Sequence, residues 1–398
     1  MAFFADCQEP YWGMRLGILG TDRWATSVAT AAAARGDTLV RESSDAGWEA
    51  FLDAATCDAI LVGSDGWSQV RADAVRTLVQ VGRPLVVSQP LELSMLWAWE
   101  IEMIRRDAGG PIVPILPARL HPFVARLREI LETALGGAGP LGAVESFVLE
   151  RRQHDRSREA VLASLARDAD LVRAIVGEPA RLSALGVSID DRVWNSLTVG
   201  FSGPALVPVR WQMAGGSEES LEITLRGGQG SVVLTMRDDP EQSCRWSGPD
   251  GPHESPAFDR GHAMLQVLDA ALHPDGPHAP HNAPLPPASW ADAARAIELA
   301  DTVPRSLTKG RAIDLHHEEF SELATFRGTM ASLGCGIILA ALVLVVVAAI
   351  VGGVANELGW AVGGRIAGAW PILALVVLGG FLLLQLLPLL VADRRRHE

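Results

Sequence analysis

A chain of 398 residues has room for two globular domains and a further segment, since a domain takes about 100–200 residues. Its formal net charge of −13 argues against a surface built for nucleic acid, whose phosphates such a charge repels. Cys7, Cys57, Cys244 and Cys335 form no C-x-x-C or C-x-x-H pattern, which excludes a zinc site of that kind and reads as reduced thiols in a cytosolic compartment.

Residues 1–14 have no basic stretch leading into an apolar core, so they read as a short arm rather than a secretory leader, with Met14 an alternative start to Met1. "RLGILGTDRWATSVATAAAARG", Arg15–Gly36, follows the order strand, turn, helix, and "DTLVRESSD", Asp37–Asp45, is a short second strand ending in Arg41 and Glu42. "CDAILVGS", Cys57–Ser64, and "RPLVVSQP", Arg83–Pro90, are continuous apolar runs between turn residues, as buried parallel strands are. The spacing predicts a helix between them, from about Val70 to Val81. Strands alternating with helices predict a Rossmann-type, doubly wound parallel sheet over residues 15–118.

Beyond Arg119 the strands become longer and partly alternating: "GAVESFVLERR", "ARLSALGVSID", "SLTVGFSG" and "LVPVRWQMAG". "SLEITLRGGQGSVVLTMRDD" reads as a hairpin turning at Gly227–Gly230. A helix over Ser157–Val176 stops at Gly177, and a second begins in "SWADAARAIELADTV" with Ser289 as its cap. These segments predict an α+β domain with an open, largely antiparallel sheet over 119–315. His273, His278 and His281 fall in a proline-rich stretch without an interleaved carboxylate or thiol, so a loop is expected there and no metal site. Residues 316–329, with His316 and His317, read as a solvated linker.

Two apolar runs follow, Met330–Ala355 and Ala367–Val391, each longer than the roughly 20 residues that cross a bilayer. Lys309, Arg311 and Arg327 precede them and Arg394–Arg396 follow, while the connection holds only Arg365, offset by Glu357. The expectation is two transmembrane helices in a two-pass membrane location, with the lipid bilayer as partner through 330–391 and with the soluble part and C-terminus cytoplasmic. Neither run contains an ionisable residue, so the pair is an anchor rather than a transport path.

"RLGILGT", "DAILVGS", "GRPLVVSQPLEL", "ARLHPFVARLREIL" with "GPLGAVES", "DADLVRAIVGEPARLSALGV" and "AIELADTVPRSLTKGRAIDL", in that order from Arg15 to about Leu315, resemble the Gfo/Idh/MocA family of oxidoreductases. The resemblance implies NAD or NADP as cofactor, a sugar-like or small polyol ligand, and a homodimer formed on the open sheet. It places Gly20, Thr21, Asp22, Arg23, Trp24, Glu42, Ser64, Gln89 and Pro90 at the cofactor. Gly20 and Ala25 match the first and third positions of the phosphate turn, but Asp22 puts a negative side chain where backbone meets the pyrophosphate. Arg23 offsets it if its guanidinium reaches the phosphates. Glu42 on a ribose hydroxyl, or Arg41 on a 2′-phosphate, is balanced by a reading of both as solvated strand-end residues.

At the chemical centre the family's E-K-P lysine is matched by Gln89. Its D-x-G-x-H-x-x-D motif is matched by Ala163, Leu165, Arg167 and Asp170, of which only the last agrees. Arginine stays protonated and is a poor base. His121 and His154 are the nearest substitutes for the missing histidine, and Arg119 and Arg167 are candidates for an anionic ligand. Two functions are therefore expected: an NAD(P)-binding oxidoreductase homologue with degraded catalysis, or an inactive ligand-binding or scaffold protein at the cytoplasmic membrane face.

Overall fold

The computed structural model describes residues 13–41, 45–137, 139–188, 192–203, 207–238, 243–255, 258–274 and 285–315, with scattered positions between 346 and 359. The chain divides after Leu315 into two units, and the first holds both sheets.

The first sheet alternates strand and helix: β1 (Arg15–Leu19), α1 (Arg23–Arg35), β2 (Thr38–Arg41), a 3-10 turn (Asp45–Leu52), β3 (Ala59–Val62), α2 (Gln69–Gln80), β4 (Leu85–Ser88), α3 (Met95–Ala108) and β5 (Ile112–Ile115). All pairings are parallel and the order is β2-β1-β3-β4-β5. Helices on both faces require strands apolar on both sides, and every residue of β3, β4 and β5 is buried. Pro114 is tolerated in β5 because an edge strand has one side on which its missing N–H is not needed.

A 3-10 turn (Pro117–Leu120) leads into α4 (Pro122–Leu135), β6 (Val144–Gln153), α5 (Arg158–Ile175), β7 (Arg181–Ser188), β8 (Trp194–Ser202), β9 (Val209–Gly215), β10 (Ser220–Gly227), β11 (Gly230–Arg237), β12 (Cys244–Gly248) and β13 (Gly251–Ser255). The helices α6 (Arg260–Leu272) and α7 (Trp290–Lys309) and the short β14 (Ile313–Asp314) complete the unit. The second sheet runs β13-β12-β11-β10-β6-β9-β8-β7-β14, antiparallel except where β6 lies parallel to β9. One register row, Leu234–Ile223–Leu149–Trp211–Val199, crosses five strands and is buried throughout. The hairpin closes at Gly227 and Gly230 as its sequence predicts.

The last two helices return to the first sheet. Met264, Leu265 and Leu268 of α6 share a core with Leu16, Val28 and Ala32, and Trp290 of α7 donates its indole N–H to the Ala98 carbonyl of α3 at 3.1 Å. At Gly261 an added Cβ would stand 2.4 Å from the Ser27 carbonyl oxygen, so α6 approaches α1 as closely as backbone allows.

The expected two-pass membrane location is corrected. Among the described residues no helix is long and apolar enough to cross a membrane. The two longest helices among those described, α5 and α7, are each interrupted by charge: Arg158, Glu159, Arg167, Asp168, Asp170 and Arg173 in one, and Asp292, Arg295, Glu298, Asp301, Arg305 and Lys309 in the other. The runs 330–355 and 367–391 and the linker 316–329 lie outside the described residues, apart from the scattered positions between 346 and 359.

Candidate functional site

A helix begins with N–H groups that lack intrahelical acceptors, and at α1 a carboxylate from the same turn fills that need. Asp22 caps the helix: its Oδ1 accepts from the N–H groups of Trp24 at 2.7 Å and Ala25 at 2.9 Å. Its Oδ2 accepts from the Ser64 N–H at 2.6 Å and hydroxyl at 2.8 Å. Burial works to raise this carboxyl, but the hydrogen bonds it accepts, those from Ser64 and Ala25 among them, outweigh it and hold it below the usual carboxylate range. The turn is also tight against its surroundings. A Cβ on Gly63 would stand 2.5 Å from Thr21 backbone, and one on Gly20 would stand 2.5 Å from Arg71, whose Nη1 donates to Gly63 and Asp65 carbonyls at 3.1 and 2.6 Å.

Trp24 faces a cavity of about 730 Å³, counting the part open to solvent, between the C-terminal end of β5, α5 and the second sheet. Period-two alternation along β6 puts Arg151 on the buried face with Phe147 and Leu149, in register with Leu221 and then Met236. Arg151 donates through Nε to Asp168 Oδ2 at 2.9 Å and through Nη2 to Oδ1, a two-pronged pair that Trp211 Nε1 joins at 2.8 Å. Its Nη1 reaches Asp238 at 3.0 Å, and Arg23 reaches the same carboxylate at 3.2 Å. Burial opposes the charge on Asp238, but the guanidinium groups of Arg151, Arg23, Arg167 and Arg260 overcome it and push the carboxyl down to about 2.

Across the cavity, the Pro117–Leu120 turn carries Arg119, and His121 caps α4 ahead of Pro122, whose missing N–H costs nothing at a first helical position. Arg119 Nη1 donates to Asp170 Oδ1 at 2.9 Å. His121 Nδ1 accepts from the Phe123 N–H at 3.1 Å, and burial, aided by the Arg260 charge, lowers its pKa to about 4. The neutral ring therefore carries its proton on Nε2 and acts as a donor. Burial raises Asp170 to about 6 against the pull of Arg119 and Arg173. All three residues line the cavity, and each keeps one buried polar atom without a partner among the described residues: Arg119 Nε, His121 Nε2 and Asp170 Oδ2.

The residues singled out in the sequence divide between places. Trp24, Arg119, His121, Arg167 and Asp170 meet at the cavity. Gly20, Thr21 and Arg41 line a second hollow of about 550 Å³ along α1, while Ser64 is bound to Asp22. Arg23 pairs with Glu219 and Asp238. Gln89 is buried before the cis peptide to Pro90, and its amide donates to the Ala293 carbonyl at 3.1 Å. His154 is exposed and is not among the residues lining the cavity, and Glu42 lies outside the described residues. Arg151, Asp168, Asp238 and Arg260 were not singled out. Arg151 left a local signal, a charge at an inward position of an alternating strand; Asp238 and Arg260 are brought in by tertiary folding alone.

No protein-family model matches the chain, and no curated protein matches its sequence. Solved structures do share the fold. An oxidoreductase from Sinorhizobium meliloti is 16% identical with a TM-score of 0.60, the match covering 76% of this chain and 99% of that one. A myo-inositol dehydrogenase from Corynebacterium glutamicum is 16% identical with a TM-score of 0.54, over 76% and 99% of the two chains. An oxidoreductase from Agrobacterium radiobacter, in complex with NAD+, L-tartaric acid and magnesium, is 14% identical with a TM-score of 0.57, over 76% and 98%. The first unit thus has the two-sheet fold of these oxidoreductases.

Proposed function

We propose that the chain uses this fold to bind a small, sugar-like polyhydroxylated ligand in the cavity, with NAD(P)-linked hydride transfer weakened or lost. The observation that carries the reading is that Arg119, His121 and Asp170 line one cavity and each keeps a buried polar atom, Nε, Nε2 and Oδ2 in turn, without a partner among the described residues. Two donors and one acceptor fit the hydroxyl oxygens of a polyol, and buried polar groups require such partners. In the proposed division of labour, residues 15–118 form the cofactor half and 119–315 the ligand half. Exposed Leu185 and Val187 on β7 support a homodimer on the open sheet.

NAD or NADP is the cofactor class this fold implies, as the complex with NAD+ illustrates. The residues at the turn do not fit its pyrophosphate in their present arrangement. The Asp22 carboxylate already takes the N–H groups of Trp24 and Ala25, and a second anion beside it meets like charge. Of the groups at the cavity, Asp170 is the one suited to take a hydroxyl proton near neutral pH: its Oδ2 is unpartnered and burial raises it towards that range. His121 has no lone pair left on Nε2 for this task.

A second reading, an NAD(P)-linked oxidoreductase in which Asp22 moves aside, is favoured by the shared fold. Calorimetric titration of the wild type and Asp22→Gly with NADH and NADPH separates the two. The first reading expects no micromolar binding by the wild type and at least about tenfold tighter binding by the variant, since an anion at a helix start then meets unoccupied donors. Micromolar binding by the wild type, unchanged in the variant, establishes the second. Gly20 is a poor probe, because any side chain there strikes Arg71 whether or not a nucleotide binds.

A further inference from the structure

Resting on the reading of the cavity as a ligand site, we infer that its ligand is anionic, a polyhydroxylated oxyanion whose charged end sits between Arg167 and Arg260 beside Trp24. The charges around the cavity run against those of the chain. The whole protein carries −13, yet the lining holds Arg119, Arg151, Arg167 and Arg260 against Asp168, Asp170 and Asp238.

Those carboxylates are already engaged. Asp168 is held by Arg151 and Trp211, Asp170 by Arg119, and Asp238 by Arg151 and Arg23. Among the described residues, Arg167 and Arg260 hydrogen-bond neutral oxygens only. Arg167 donates to the Ser164 hydroxyl at 3.1 Å and the Gln89 carbonyl at 3.3 Å. Arg260 donates to the Asp238 carbonyl at 2.8 Å and to the Arg237 carbonyl.

Both guanidinium groups lie against the same indole, Arg167 at 5.7 Å and Arg260 at 5.6 Å from the Trp24 ring centre. Stacking on a ring covers the face of a guanidinium and leaves its five edge N–H groups, of which these bonds use two in each arginine, to hold an oxyanion. Burial of these charges without hydrogen-bonded carboxylates is unfavourable, and an anionic ligand removes that penalty. The unpartnered donors Arg119 Nε and His121 Nε2 add to a donor-rich lining in which Asp170 Oδ2 is left to accept from a ligand hydroxyl. A sugar acid and a sugar phosphate share this chemistry.

The test compares D-gluconate and glucose 6-phosphate with D-glucitol and myo-inositol by calorimetry on the full-length protein, at low and high salt. One of the two anions is expected to bind at least about tenfold tighter than glucitol, with a preference that shrinks as salt rises, and the tighter anion identifies carboxylate or phosphate as the charged end. Arg167→Met and Arg260→Met are each expected to shrink the preference to about twofold or less. Should a variant fail to fold, the wild-type ratio of gluconate and glucose 6-phosphate to glucitol decides alone. Binding of glucitol or inositol with no preference for either anion overturns this inference and leaves the ligand site standing. Absence of binding by all four overturns both.

Discussion

A helix start attracts an anion from whatever source lies nearest, and at α1 the source is covalently attached. Asp22 is one residue from the helix, so its carboxylate meets the Trp24 and Ala25 N–H groups without the loss of freedom that a diffusing phosphate suffers. His121, a residue of the cavity lining, solves a similar problem at α4 with its Nδ1, which fixes the proton on Nε2. Its depressed pKa has a consequence for stability. Between the ordinary value of 6.5 and about 4, the unfolded chain takes up a proton that the folded ring refuses, so stability falls as pH falls through that window. Asp170, raised to about 6, contributes with the opposite sign below that pH. His121→Asn keeps a capping side chain and leaves Asp170 in place. Its melting temperature is therefore expected to fall less steeply than the wild type's from pH 6.5 to 4; parallel curves would show that His121 takes up its proton in the fold as readily as out of it.

Elements with a simple period were readable in advance. The helix expected over Ser157–Val176 is α5, Arg158–Ile175, capped by the Ser157 hydroxyl, and Ser289 caps α7 through a reciprocal pair with Asp292. β5, α3, α4, α6 and the β12–β13 hairpin were not named as elements in the sequence. The apolar stripe of α6, Met264, Leu265 and Leu268, acquires meaning only against α1, and Pro114 disguises β5 until its edge position is known. The two ends of the α7 contact separate local from tertiary stabilisation. Ser289→Ala is expected to cost about 1 kcal/mol, the usual loss of a cap. Trp290→Ala is expected to cost about 3–5 kcal/mol, because it empties a fully packed position and removes the bond to Ala98. Urea denaturation measures both, and equal small losses would mean that α7 is not anchored through Trp290.

At the scale of the molecule, the chain order and the packing order differ. The first sheet ends at β5, yet one face is completed by α6 and an edge by α7, both of which follow the second sheet. A fragment of residues 13–118 therefore leaves Leu16, Val28 and Trp97 without part of their cover, and it is expected to show no cooperative thermal transition. Residues 13–315 are expected to unfold in one. A cooperative transition by the shorter fragment would mean that the returning helices are not needed for the first sheet. An arginine-rich cavity lies inside an acidic protein, a contrast that favours an anion entering the cavity over one at the outer surface.

Alternating strands and helices, the Gly227–Gly230 turn and the helix caps were legible in the sequence because each depends on residues within a few positions of one another. The anomalies at Asp22, Gln89 and Arg167 were legible too, as departures from a pattern. Where those side chains point depended on contacts across the fold: Asp22 on Ser64, Gln89 on Ala293, Arg167 on Trp24. So did the cavity, since Arg151, Asp238 and Arg260 come from separate elements and meet only when the second sheet and α6 close around Trp24. Local preference decided the elements, and long-range packing decided which of their charges share a site.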